Sequence, residues 1–175
     1  MIYMGFDPGA SSALVALERV SGSLPVVRGA WSIWGSPDIR WQRFMGAFDE
    51  VKRIVGPQHP DERSRIGIEL PAGGGAGGGR KMHGWQLSIG RHIGHAELMS
   101  KSCGFDVRLI KANVWTQLVG VRYGKRAEGL HRIDEAGARG QGLGRYLGEL
   151  ATTKAGRERQ VCLAEAALIA LSQIN

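Results

Sequence analysis

Apolar and polar residues alternate in blocks along the chain, and each block predicts an element. Ile2 to Phe6 is an apolar run closed by Asp7-Pro8-Gly9-Ala10-Ser11-Ser12, and a second apolar run, Ala13 to Leu17, follows. Two such runs around a Pro-Gly turn predict a hairpin with an acid at its mouth. Leu24 to Ile33, entered through Ser21-Gly22-Ser23, has the β-branched and aromatic content of a third strand. Ser36-Pro37-Asp38 then opens a helix, with Trp41, Phe44, Met45, Phe48 and Val55 at helical spacing and Gly56-Pro57 as its stop. Gln58 to Ser64 is a polar loop, and Arg65-Ile66-Gly67-Ile68-Glu69-Leu70 is a short strand with an acid near its end.

The second half alternates helices with one further strand. Met82 to Cys103 predicts a long helix closed by Gly104. Gly90 and Gly94 share one face of it, a pattern that suits helix packing inside the fold before a dimer seam. His83, His92 and His95 follow no metal-ligand spacing and are expected on the surface. Asp106 to Ile110 is a strand, and Lys111 to Trp115 begins a short helix. Val121 to Arg132 is a basic, glycine-punctuated loop, and Ile133 to Thr153 a helix with breaks. Arg157 to Leu171 is a helix that becomes apolar all round after its first turn, which means burial.

Three carboxylates stand alone in these apolar elements: Asp7, Glu69 and Glu165. An ionised carboxylate among apolar neighbours costs several kcal/mol, on the order of the penalty for an unpaired buried charge, unless a cation or hydrogen bonds compensate it. Asp7 has a simpler use open to it, capping its own turn through the amides of Gly9 or Ala10. Glu158, Cys162, Glu165 and Ile169 fall on one face of the last helix.

Charge changes this picture more than bulk composition does. The net charge is +7, and residues 101–159 hold 12 Lys or Arg against 6 Asp or Glu. A cationic half favours a polyanion, of which nucleic acid is the commonest, although a solvated face has the same composition. Pro71 to Lys81 is a glycine run ended by Arg80-Lys81. It lacks the Gly-Lys-Ser/Thr of a Walker loop. It reads either as a flexible tether or as a mobile loop beside Glu69 that orders against a phosphate backbone. At 175 residues one domain accommodates the whole chain. No run approaches the ~20 apolar residues of a membrane span, no export signal opens the chain, and a cytoplasmic protein is expected. Cys103 and Cys162 are too few for a disulfide framework, and packing is their expected role.

Three antiparallel strands, a helix, a fourth strand, a long helix, a fifth strand and further helices resemble the ribonuclease-H-like fold, a mixed five-stranded sheet with helices on both faces. Four stretches narrow the resemblance to the RuvC-type Holliday-junction resolvases: Gly5-Phe6-Asp7-Pro8-Gly9, Ile66-Gly67-Ile68-Glu69, Leu87 to Ala96, and Leu163 to Ala170. The resemblance implies a homodimeric endonuclease that nicks four-way DNA junctions in pairs, dependent on Mg²⁺ or Mn²⁺. It implies that Asp7, Glu69 and Glu165 converge as ligands, and two ions ~4 Å apart can activate a water and stabilise the leaving oxygen. Arg80, Lys81, Lys111, Arg122, Lys125 and Arg126 are then expected on phosphates. The sequence departs from the family at Cys162, where a further acid or a His is usual, and a thiol is a poor ligand for Mg²⁺. Glu158, two turns earlier on the same face, is a candidate replacement, with a solvated helix start as its other reading. Asp134 and Glu135 are further candidates. A junction-binding module without catalysis and a relative acting on RNA are the competing readings. An actin-like or sugar-kinase ATPase shares the opening motif but needs two such lobes, and the chain has room for one.

Overall fold

A computed structural model describes residues 1–9, 11–57, 63–70, 84–121, 127–148 and 153–174, apart from the side chains of 84–86, 127–130 and 148. Its strands are β1 (Ile2–Asp7), β2 (Ser12–Glu18), β3 (Val26–Ile33), β4 (Arg65–Leu70) and β5 (Asp106–Lys111). They form one sheet in the order β3-β2-β1-β4-β5, antiparallel across β3, β2 and β1 and parallel across β1, β4 and β5. The helices are α1 (Pro37–Val55), α2 (Gly84–Ser102), α3 (Ala112–Val119), α4 (Ala127–Arg139), α5 (Gly144–Gly148) and α6 (Lys154–Ser172). This is the ribonuclease-H-like arrangement.

Side-chain alternation sorts the core onto two faces. Ile2, Met4, Phe6, Leu14, Ala16, Ile66 and Ile68 pack with Phe44 and Phe48 of α1 and Ile89 and Ile93 of α2. Ala13, Val15 and Leu17 pack on the other side with Trp115 of α3, Ala136 of α4 and the apolar body of α6. Both faces are covered, which suits the parallel part of the sheet.

The α6 face contains the feature that brings the acids together. In the β1–β4 register Gly5 lies beside Gly67. Two residues further along each strand, on that same face, come Asp7 and Glu69. A Cβ on Gly5 would strike the Ala166 carbonyl and stand 2.6 Å from the Ala170 nitrogen, both backbone atoms of α6. One on Gly67 would meet Ile169 Cγ2 and Gln173 Nε2 at 2.9 Å. The paired glycines therefore let α6 lie against the strands, and Glu165 is carried down to the edge where β1 and β4 end.

Several expectations are corrected. The third strand begins at Val26 rather than Leu24, because Pro25 has no N–H for the ladder. Its carbonyl instead accepts from Gln141 N at 2.9 Å, and Val27 N donates to Gln141 O at 2.8 Å. Gly90 and Gly94 are exposed and a Cβ on either would meet nothing within 4 Å, so their face is not a packing seam inside the fold. His92 is buried rather than on the surface, and burial, followed by the nearby Arg40 charge, lowers its pKa. His95 does lie at the surface, its ring 4.8 Å from that of Trp41. The basic loop assigned to Val121–Arg132 is helical from Ala127 onward. No helix among the described residues is long and apolar enough to cross a membrane.

Candidate active site

Asp7 ends β1 pointing toward α6, and its turn is built so that the carboxylate is not spent on capping at Gly9. Ser12 Oγ takes the Gly9 N–H at 3.0 Å and donates back to the Gly9 carbonyl at 3.0 Å. Arg40 of α1, itself buried, reaches the same carbonyl with Nη1 at 2.6 Å and Ser88 Oγ of α2 with Nη2 at 3.2 Å. The turn is thus tied to both helices of the opposite face. Asp7 is left facing the centre, where desolvation pushes its pKa up to about 7 against weaker opposing effects of a Cys162 hydrogen bond and the Arg132 charge.

Glu69 sits beside it at the end of β4. Burial raises its pKa to about 7 as well, and the Asp7 charge adds to the rise. The fully buried Trp115 donates its indole N–H to Glu69 Oε2 at 3.2 Å, which fixes the carboxylate's orientation. Glu165, from the middle of α6, pairs with Arg132 of α4.

Cys162 is one turn before Glu165. Its thiol donates to the Ser11 carbonyl at 3.1 Å and also faces Asp7. Burial, then the Asp7 charge, pushes the thiol above its ordinary range, so it is neutral here. Its place is therefore in the centre as much as in the core, whereas Cys103 packs against the core of the α1–α2 face. Glu158 is exposed on the second turn of α6, close enough to Cys162 for its charge to be felt there. Lys111 is exposed at the end of β5, in register with Leu70 and hence next to Glu69 along the sheet edge. Arg80, Lys81, Arg122, Lys125 and Arg126 lie outside the described residues.

The donor chemistry of Asp7 and Glu69 fits a hard divalent cation: a buried and a half-buried carboxylate whose ionised forms lack full compensation, each offering oxygen donors. Among the described residues, however, no three Asp, Glu, His or Cys side chains form a group able to hold a metal. Glu165 is engaged by Arg132. A concavity at the far end of the sheet, around Arg19 to Pro25, Val119 and Arg139, lies away from these acids.

Sequence reasoning missed two sets of residues. Arg132 was assigned to a basic loop, yet it is buried against the acids. Trp34, just beyond β3, has the guanidinium carbon of Arg43 3.7 Å and that of Arg159 3.9 Å from its ring. Ile33 pairs with Ser12 and Ala13 with Asp7, so this cationic stack stands on the same edge as the carboxylates. Among the described residues neither guanidinium has a carboxylate partner. The signal available in sequence was a Trp at a strand end with an Arg nine residues on.

No protein-family model matches the chain, and no curated protein matches it. Solved structures do. Thermus thermophilus RuvC in complex with a Holliday junction substrate aligns with a TM-score of 0.62 and 18% identity, over 99% of this chain and 93% of that one. Another Thermus thermophilus RuvC structure gives 0.61 and 16%, over 99% and 93%. The yeast mitochondrial Holliday junction resolvase gives 0.50 and 9%, over 97% of this chain and 79% of that one. Sheet order, helix placement and these alignments together give the chain the ribonuclease-H-like fold in its RuvC form.

Proposed function

We propose that the chain is a metal-dependent endonuclease that cuts four-way or otherwise branched DNA by hydrolysing phosphodiester bonds. What supports this reading is the pair of carboxylates Asp7 and Glu69 side by side at one sheet edge, with Glu165 tied to Arg132, whose charge acts on both, in a fold shared with junction resolvases. Asp7 and Glu69 would hold the ion. When bound, Mg²⁺ or Mn²⁺ supplies Lewis-acid polarisation of the phosphodiester and acidifies the attacking water. The chain's own groups do the rest. Trp115 holds Glu69 in place, Ser12 and Arg40 hold the turn that presents Asp7, and Arg132 orients Glu165. Attack by water on phosphorus forms one P–O bond as the bond to the leaving oxygen breaks, and the water's proton passes to a carboxylate.

Lys111 on one side of the centre and the Arg43–Trp34–Arg159 stack on the other would grip the backbone, positioning DNA without reading bases. A homodimer suits a two-fold junction, and the open Gly90–Gly94 face of α2 is available for it. Incubating the protein with a four-way junction in Mg²⁺, Mn²⁺ and EDTA tests the reading. Paired, metal-dependent nicks are expected. Tight binding without nicks would instead favour a junction-binding module, the alternative raised by Cys162 in an acid's usual place, and preferential cutting of RNA hairpins would reassign the substrate. Removing both cations of the stack, Arg43→Gln with Arg159→Gln, is expected to weaken junction binding and to reduce the slope of log affinity against log salt by about 1–2, as loss of one or two phosphate contacts does. A salt titration by fluorescence anisotropy measures it.

A further inference from the structure

The indole of Trp34 separates two cations. It is 38% exposed just beyond β3, with the guanidinium carbon of Arg43 from α1 at 3.7 Å and that of Arg159 from α6 at 3.9 Å from its centroid. Two guanidiniums that close to one centroid would overlap on a single face, and their like charges would repel, so the ring has one on each side. The chain path agrees, because α1 packs on one face of the sheet and α6 on the other. Arg43 is fixed a second time, its Nη1 donating to the Trp34 carbonyl at 2.9 Å. Both arginines are half-buried, and the ring holds them apart by up to the sum of the two distances. That is the scale of the step between neighbouring phosphates on one strand.

Two rulers place the stack relative to the carboxylates. Across the sheet, Ile33 pairs with Ser12 of β2, and β2 pairs with β1, so the end of β3 is two strand spacings, roughly 10 Å, from the end of β1 where Asp7 stands. Along α6, Arg159 precedes Glu165 by six residues, about 9 Å of axial rise. Between them Cys162 donates to the Ser11 carbonyl in the turn that follows Asp7. A strand with one phosphate on Asp7 and Glu69 therefore passes the stack within about three nucleotides, since each phosphate advances roughly 3.4 Å along a duplex axis.

We propose that Arg43, Trp34 and Arg159 form a two-phosphate clamp on the strand being cut, and that the clamp sets the phase of its backbone, so that a phosphate rather than the sugar between two phosphates is presented to Asp7 and Glu69. The phasing rests on the nuclease reading; the grip on two neighbouring phosphates does not. A lone surface arginine follows a phosphate wherever the strand shifts, because its stem is flexible. Two cations at a fixed separation, themselves a fixed distance from the carboxylates, accept the strand only in whole-phosphate steps. Contacts that carry no sequence information thereby become a measure of distance along the backbone. Trp34 is a positioning residue in this scheme, acting through the two arginines, and the planar, always charged guanidinium suits both the ring and the phosphate.

Interference by uncharged phosphates tests this on the full chain. Four-way junctions carry one methylphosphonate at each successive position of two opposite strands, and binding in EDTA is followed by fluorescence anisotropy. The wild type is expected to lose about three- to tenfold in affinity at each of two neighbouring positions, the range for a partly exposed charge-assisted contact. Arg43→Gln is expected to lose the sensitivity at one of them and Arg159→Gln at the other. Trp34→Leu keeps both charges and is expected to bind within about threefold of the wild type, while single-turnover cutting in Mn²⁺ slows at least about tenfold, as misplacement of a reacting group does. Trp34→Phe, which restores a ring, is expected to recover most of that rate. Sensitive positions that are not neighbours, arginine variants that weaken binding equally at every position, or a Trp34→Leu protein that cuts as fast as the wild type overturn the proposal. If Trp34→Leu does not fold, the interference maps of the two arginine variants decide. A neighbouring pair mapped on a junction that is never cut would sink the nuclease reading and leave the grip on two phosphates; metal-dependent cutting with no such pair would sink the clamp alone.

Discussion

Asp7→Asn is expected to abolish junction cleavage, by about a thousandfold or more, and at the same time to make the metal-free protein more stable at pH 8. The first effect follows from removing an anionic oxygen donor at the reacting phosphate, where single electrostatic groups are worth roughly that much. The second follows from desolvation. The Asp7 carboxyl is raised from 3.8 to about 7 in the fold, so the folded protein holds the proton more tightly than the unfolded chain does. A group raised in this way contributes stability that is fully present below its unfolded value, near pH 4, and is lost as pH rises through about 7. An amide has no such loss. Denaturant melts of the metal-free proteins should therefore agree near pH 4 and diverge progressively to pH 8, with the variant ahead by up to a few kcal/mol, the order implied by a shift of that size. Glu69, raised from 4.5 to about 7, reinforces the wild-type loss over the same window. Added Mn²⁺ should close the gap for the wild type alone. Equal stability of the two proteins at pH 8 would mean that Asp7 is not desolvated as described.

Gly5→Ala is expected to be the most damaging small change in the chain. The new methyl would overlap the Ala166 carbonyl and crowd the Ala170 nitrogen at 2.6 Å, and neither can turn aside because both belong to the backbone of a buried helix. Either α6 is lifted off β1 or the strand bends. Overpacking of this kind costs roughly 3 kcal/mol or more. Gly67→Ala makes the informative comparison, because its methyl would meet only the ends of the Gln173 and Ile169 side chains at 2.9 Å. Its cost should be roughly 1–2 kcal/mol, in the ordinary range for a substitution that neighbours can accommodate. Urea denaturation ranks the two, and a Gly5→Ala protein as stable as Gly67→Ala would contradict the close approach of α6. Junction cleavage should fall in the same order, since lifting α6 takes Glu165 away from the other acids.

Much of the architecture was legible because local signals agreed with the global fold. Arg65–Leu70 forms a strand with the predicted bounds, α1 starts at Pro37 behind Ser36, and α2 ends before Gly104, which adopts a φ of 82°. That Asp7, Glu69 and Glu165 would need partners was legible for a related reason: each is a charge in an apolar element, and in the structure Asp7 and Glu69 neighbour each other while Glu165 pairs with Arg132. Arg132 was not legible, because it stands among polar and charged positions such as Glu128, His131, Asp134 and Glu135, interrupted only by Leu130 and Ile133. Only the packing of α4 on α6 turns that side chain inward. His92 misled in the same way, since an imidazole gives no periodic signal of its own and α2 happens to bury that position. Gly90 and Gly94 show the opposite failure. Small residues one turn apart permit a close neighbour, but the sequence does not say which side of the molecule provides one.

The protonated thiol of Cys162 has a practical corollary. Alkylating reagents react with thiolates, and a half-buried sulfhydryl beside the Asp7 carboxylate, its pKa raised by burial and that charge, is a poor source of them. Maleimide chemistry applied to the whole protein will therefore be directed to Cys103, the other free cysteine, at the far end of α2. That gives a native single-dye handle on the helix face opposite α6, with the carboxylate centre left chemically untouched.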